Sequence, residues 1–400
     1  MPVKNHSVES SKGVSRRDFM QQAAIAASIS WFPPGVSGCK AMPEAQSRAA
    51  STASNAADVM EQALEILAPT GPEYSFGLAN HGPMAAEALI AMGRAEAVIP
   101  WVERYKRNLQ SPPEARRAIV RQEWREALGA FSRAGDWVAF FTRELKEAPW
   151  RAVLGEWTVR LAPGLAAAAA HGLIRAAHAA RSLAERETEA RRRELAEGLG
   201  YWAARYQPLP MARNRKPGGM KPSQAVRQIE ILPTEQRARG LIANALRRLD
   251  NFPPFAGVAD MVDCSGDASR FLSDLTETFA MLCLTQPGRL IAFIHAVTGP
   301  GAIRLLLPHL TPEARQSALR YGWQMAAAIY AAFGSAAGAG AIEDRKQDKE
   351  DLIGRAVTNG DEHAIKFTEA CLREHALNPK SVYLLAARHA IDRLPPATSS

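Results

Sequence analysis

Between His171 and Arg181 the chain reads His-Gly-Leu-Ile-Arg-Ala-Ala-His-Ala-Ala-Arg, and a helix puts His171, Arg175 and His178 at i, i+4 and i+7 on one face. Their neighbours are alanine, leucine, isoleucine and one glycine. A polar stripe in such a setting is not a solvated face, so two imidazoles and a guanidinium must find partners inside the fold. Imidazole ligates metals and carries protons near neutral pH; guanidinium holds carboxylates, phenolates or reduced oxygen. His171 and His178 lie two turns apart, roughly 10.5 Å along the axis, too far to bind one ion in the same way. One of them is expected as a ligand, the other as a partner of the substrate or of a ligand.

Three further histidines stand in comparable surroundings. His81, in Asn80-His81-Gly82-Pro83-Met84, precedes a helix with proline in its first turn, and the positive end of that helix keeps the imidazole neutral and able to ligate. His295 is embedded in the apolar run from Leu290 to Val297, and His363 and Lys366 share one helix face in Asp361-Glu362-His363-Ala364-Ile365-Lys366-Phe367. A single core histidine is most often only hydrogen-bonded; five in one helical domain point to a metal centre fed from several facing helices, suited to iron, zinc or copper. The plain role of Lys366 is an i,i+4 pair with Glu362. Turned inward beside His363, it ligates only as a neutral amine or, after carboxylation, as an oxygen donor.

The elements that must position these residues are helices. Apolar positions at 3.6-residue spacing predict helices over 99–109, 118–131, 137–146 and 150–159, and a long helix opened by Pro163-Gly164 that carries the stripe and continues toward Trp202 and Tyr206. Further helices are expected over 234–249, 267–284, 288–297, 302–307, 312–334 and 361–375, with Gly299-Pro300-Gly301 ending the His295 helix. No segment alternates convincingly as a strand. A Pro- and Gly-rich loop near 207–233, carrying Arg213, Arg215, Lys216 and Lys221, separates two helical halves. The expectation is an all-α, multi-helix single large domain over 58–400, its two halves enclosing a buried pocket. Trp101, Trp124, Trp137, Trp150 and Trp157 read as core residues at helix crossings, with the wall of an aromatic-ligand pocket as the alternative.

The 400 residues carry 49 basic and 41 acidic side chains, but the basic ones are interleaved with acids, as in Arg186-Glu187-Thr188-Glu189-Ala190-Arg191, which argues against a nucleic-acid partner. Cys39, Cys264, Cys283 and Cys371 have neither disulfide-framework nor zinc-ribbon spacing. Past the N-terminus no uninterrupted apolar run reaches membrane-spanning length. Residues 1–39 read as a twin-arginine signal around Ser15-Arg16-Arg17-Asp18-Phe19-Met20, which implies passage through the twin-arginine export machinery to the periplasm. Val36-Ser37-Gly38-Cys39 resembles a lipobox that would lipid-anchor Cys39, and 40–57 reads as a linker; a cytoplasmic tail is the plainer alternative.

Asn80–Met84, the stripe with Tyr201-Trp202-Ala203-Ala204, the His295 helix through Gly301, and Asp361–Lys366 occur in an order, spread over 58–393, that resembles the questin oxidase-like family. That resemblance implies an oxidoreductase: an NADPH-dependent, Baeyer–Villiger-type oxidation that opens the ring of anthraquinone-type polyketides. Similarity to non-haem iron members implies a mononuclear iron held by histidines and a carboxylated lysine, hence His81, one or both of His171 and His178, His295, His363 and Lys366. Arg175, or whichever stripe histidine is not a ligand, would orient the small aromatic substrate beside O2. The chain has no flavin-type dinucleotide-binding glycine loop. Two other classes remain open: a metal-dependent hydrolase using the same histidines, and an exported, non-catalytic binder of a hydrophobic ligand.

Overall fold

Alanine, leucine, glutamate and arginine are strong helix formers, and in the computed structural model, which describes residues 44–212, 218–286, 288–335 and 346–397, regular structure is helical apart from one minimal hairpin, β1 (Glu73–Tyr74) with β2 (Leu78–Ala79), and two isolated bridges. The fold is all-α. Its helices are α1 (Glu44–Leu67), α2 (Gly82–Ala91), α3 (Ala95–Tyr105), α4 (Ala134–Glu147), α5 (Trp150–Leu161), α6 (His171–Glu185) and α7 (Glu189–Ala204). After a stretch of short helical turns follow α8 (Ala268–Thr285), α9 (Leu290–Leu306), α10 (Pro312–Phe333), α11 (Lys349–Asn359), α12 (Glu362–Leu377) and α13 (Ser381–Arg393). Ser51–Ser400 makes one compact unit.

Four helices close a ring around the histidines: α2 packs on α6, α6 on α9, α9 on α12, and α12 back on α2. Outside that ring α6 is clamped to α7 at two glycines: a Cβ on Gly172 would lie 2.4 Å from the Trp202 backbone, and one on Gly198 would lie 2.7 Å from that of Ala176. The larger core surrounds this arrangement, and a smaller one sits between α1, α2 and α3, with Leu64, Leu89, Trp101 and Tyr105 among its members. All five of the singled-out tryptophans are buried, and Trp124, Trp137 and Trp157 join Phe140 and Phe141 in an edge-to-face cluster.

Several boundaries differ from the periodicity reading. The stripe helix does not start at Pro163: Ala168, Ala169 and Ala170 adopt left-handed φ of 46°, 57° and 68°, and α6 begins only at His171. Nor does it run on to Tyr206, because Thr188 caps a new helix by accepting the Arg191 N–H. The segment 118–131 holds only a short 3-10 turn at Trp124–Ala127, since the Asp136 carboxylate at the start of α4 takes the backbone N–H groups of Arg116 and Arg117 and ties the preceding chain down. Over 234–249 only Ile242–Leu246 is α-helical, Gly240 having φ +91°. Gly299-Pro300-Gly301 does not end a helix: α9 runs through it, buried from Ala292 to Arg304. By length and composition alone Leu290–His309 would span a membrane, yet most of it is buried inside the fold. Within the stretch 40–57 expected as a linker, the chain is helical from Glu44. The signal segment with Cys39 and the loop residues Arg213, Arg215 and Lys216 lie outside the described residues.

Candidate metal centre

Each helix of the ring delivers its histidine through a local device. His81 is the N-terminal flanking residue of α2; Asn80 Oδ1 accepts the Gly82 N–H at 2.9 Å, and the His81 N–H donates to the Tyr105 hydroxyl at 3.0 Å. The left-handed corner at Ala168–Ala170 points α6 so that His171 opens it, and the carbonyl of Ala168 accepts from His171 Nδ1. On α9 the carbonyl of Ile291 accepts from His295 Nδ1 at 2.7 Å. Asp361 caps α12 by accepting the N–H groups of His363 and Ala364 at 2.8 and 3.2 Å, which sets His363 and Lys366 in the first turns.

These devices bring four rings together. His81 Nε2 lies 2.5 Å from His171 Nε2, which lies 3.1 Å from His295 Nε2. The His363 ring stands edge-on to His81 and His295, with centroids 4.6 and 5.4 Å away. Nitrogens of His81, His171 and His363 all fall within 4.8 Å of one another. Lys366 is buried beside them; no ion pair joins it to Glu362, the partner that helix spacing offers. Glu362 instead sets Oε1 3.4 Å from His81 Nδ1, an atom with no hydrogen-bond partner among the described residues.

The donor set fits a transition-metal ion. Backbone carbonyls hold the protons of His171 and His295 on Nδ1, so both Nε2 atoms carry lone pairs, and these face each other beside His81 Nε2. A proton on His81 Nε2 would serve the His81–His171 contact as a hydrogen bond, but the facing lone pairs of His171 and His295, 3.1 Å apart, repel unless a cation lies beside them. Backbone acceptors on the far ring nitrogen are also the usual support of a ligating histidine. Burial pushes the pKa values of His81, His171 and His295 well below the ordinary imidazole value, and the neighbouring Lys366 pushes them further down. Burial also lowers Lys366, to about 8, with Glu362 and Asp361 opposing. Neutral imidazoles and a readily deprotonated amine are the forms that ligate.

The other two stripe residues go elsewhere. His178 is not a member of the cluster; two turns along α6 it donates from Nδ1 to Glu87 Oε2 at 2.6 Å, so its expected place among the ligands is corrected. Glu87 also receives Arg181, which reaches on to Glu369 at 2.6 Å, and Glu369 in turn holds Arg373. Against the penalty of burial, Arg181 and His178 hold the Glu87 carboxyl down at about 2. Arg175 forks onto Glu194 at 2.6 and 2.7 Å and also bonds Glu197. Glu87 and Glu362 were not singled out as site residues. Glu87 carried a signal: a lone acid on a helix otherwise of apolar residues and glycine needs a buried cation.

The family model described as questin oxidase-like matches residues 78–371, a span that contains every one of these histidines and Lys366. Among curated proteins none matches the chain.

Proposed function

The chain belongs to the questin oxidase-like family, which supports an oxidoreductase-like function, and from that premise we propose that it is an O2-dependent oxygenase with a non-haem iron held by His81, His171, His295, His363 and Lys366. The observation that carries the reading is the convergence of three Nε2 atoms, two of them lone-pair bearers facing each other. Iron bound there would supply the activation of O2 for oxygenation and ring cleavage of an anthraquinone-type, polyketide-like substrate, with NADPH as the reductant.

The chain's own residues prepare the site. The carbonyls of Ala168 and Ile291 lock two imidazoles in the ligating tautomer. The Asp361 cap fixes the start of α12 and so the positions of His363 and Lys366. The Glu362 carboxylate, 3.4 Å from His81 Nδ1, favours the ring proton on that nitrogen, which would leave the Nε2 lone pair free to ligate. Lys366 joins as a neutral amine or, carboxylated, as an oxygen donor. The buried apolar ring of α2, α6, α9 and α12 excludes water from the centre. We further propose export by the twin-arginine pattern, with Cys39 as a lipid-anchor candidate.

The test is elemental analysis of protein purified without a histidine tag, together with O2 uptake in the presence of a hydroxyanthraquinone. About one iron per chain and substrate-stimulated O2 uptake are expected, both lost in His363→Ala. Zinc without O2 uptake would replace the oxygenase by a hydrolase. No metal after anaerobic iron loading would leave a protein that binds a hydrophobic ligand without turnover.

A further inference from the structure

The rings of the four clustered histidines meet one another. One tyrosine is joined to them from outside: Tyr105, the last residue of α3, accepts the His81 N–H on its hydroxyl at 3.0 Å. Tyr105 is buried and belongs to a file of three rings. Trp101, one turn earlier on α3, stacks on it with centroids 4.7 Å apart, and Tyr74 of β1 meets it edge-on at 6.3 Å. Trp101 is buried too, its Nε1 donating to the carbonyl of Gly360 at 2.8 Å. Tyr74 is partly exposed, and its hydroxyl interacts with both Tyr105 and Glu362. The file therefore begins at a histidine of the metal centre and ends at solvent. The cluster of Trp124, Trp137 and Trp157 offers no such path, since its aromatic contacts are with Phe140, Phe141 and each other.

Tyrosine gives up one electron more readily than phenylalanine or histidine, and its phenolic O–H releases the proton alongside. We propose that this file gives the protein a further activity: discharge of hydrogen peroxide, with Tyr105 as the inner electron donor and Tyr74 as the contact with reductants in solution. The inference rests on the centre being a site of O2 chemistry, where peroxide is the product of O2 reduction without substrate. Iron bound at the histidines would supply the activation of peroxide; the chain supplies the route for the electrons. For each peroxide, Tyr105 passes two electrons and two protons inward, one pair at a time, and regains each pair from Tyr74. Tyr74 is restored by a one-electron reductant such as ascorbate. The O–O bond breaks, two waters form, and two ascorbate molecules each lose one electron and one proton. Glu362 adjoins both Tyr74 and His81, a proton acceptor alongside the route.

The experiment treats the iron-loaded, substrate-free full chain with hydrogen peroxide, after its iron content has been measured, and freezes it for electron paramagnetic resonance. A radical signal is expected that narrows in protein grown on ring-deuterated tyrosine, is removed by ascorbate, and is lost in Tyr105→Phe. Peptide mapping of the same samples should find oxidation at Tyr74 and Tyr105 in the parent chain. In Tyr105→Phe the oxidation should shift onto His81 and His171, with loss of bound iron. Tyr74→Phe, a change at a partly exposed ring, should keep the signal and slow its removal by ascorbate. A tyrosyl signal undiminished in Tyr105→Phe, or histidine oxidation no greater there than in the parent, would overturn the proposal. Should Tyr105→Phe fail to fold, unchanged removal by ascorbate in Tyr74→Phe would overturn it instead. A chain that takes up no iron would sink the oxygenase reading and this activity together, whereas an iron-loaded chain without a tyrosyl signal would sink this activity alone.

Discussion

The four helices of the ring carry two polar centres, and the two are built on opposite rules. In the first, His81, His171, His295 and His363 present lone pairs and ring edges to one another with Lys366 close by, a group of like donors with no opposite charge at its middle. In the second, Glu87 of α2, Arg181 of α6, and Glu369 and Arg373 of α12 alternate in sign, His178 of α6 adds a hydrogen bond to Glu87, and Arg373 closes the set by donating to the carbonyl of Gly301 on α9 at 3.2 Å. The ion network finds most of its partners within the chain, with Arg373 Nε left 3.7 Å from Glu374 Oε1 without a hydrogen bond. The histidine cluster would be completed by the proposed ion. Helices held together by the ion network can therefore present the histidines, with their unmet demand, at fixed spacing.

The comparison is broken most strongly at Glu87. Glu87→Ala leaves Arg181 short of its main partner in a buried place and should cost about 3–5 kcal/mol in chemical denaturation. Acid titration separates the centres next. The Glu87 carboxyl sits lower in the folded state than in the unfolded one, at about 2, so its contribution is complete above the ordinary carboxylate value near 4.5 and is lost as pH falls through about 2; the loss should reach about 3 kcal/mol. His81, His171 and His295 are likewise lowered. Below about 6.5 the unfolded chain takes up protons that the folded cluster refuses, so metal-free protein should begin to lose stability there, a full limb earlier than the Glu87 effect. Stability curves with a single acid limb would contradict this separation.

His171→Ala sharpens the contrast in another way. It should empty the metal centre, seen as iron content falling from about one per chain to near zero, while changing metal-free stability by only about 1 kcal/mol. The smallest effect is expected at the corner before α6. Ala169→Gly relieves a left-handed residue and should raise stability by about 1 kcal/mol, read as a shift in denaturation midpoint with iron content kept.

The sequence showed which side chains share a face, because helix periodicity is local: His171, Arg175 and His178 do lie along one stripe, and all three are buried. It did not show which neighbour each would meet. Two turns of rise carry His178 from the other histidines to Glu87, an outcome that depends on how α2 is laid against α6. Local punctuation misled where burial overrides it. Pro300 continues a helix because α9 is enclosed by α6, α8, α10 and α12, while the apolar spacing at 118–131 makes no α-helix because Asp136 claims the backbone just upstream. The two glutamates on Arg175 were likewise illegible, since the α6–α7 contact rests on Gly172 and Gly198 meeting backbone across the interface.

The left-handed corner at Ala168–Ala170 also fixes a phase. Everything α6 offers is set by the angle at which the helix starts, and each residue advances that angle by about 100°. One residue inserted or deleted in the corner would turn His171, Arg175, His178 and Arg181 together about the axis. The histidine would leave the cluster, the arginine its two glutamates, and the second histidine Glu87, in a single step. Such a change is an indel that no later point substitution in α6 repairs, so the length of this corner is under tighter constraint than the identity of its residues.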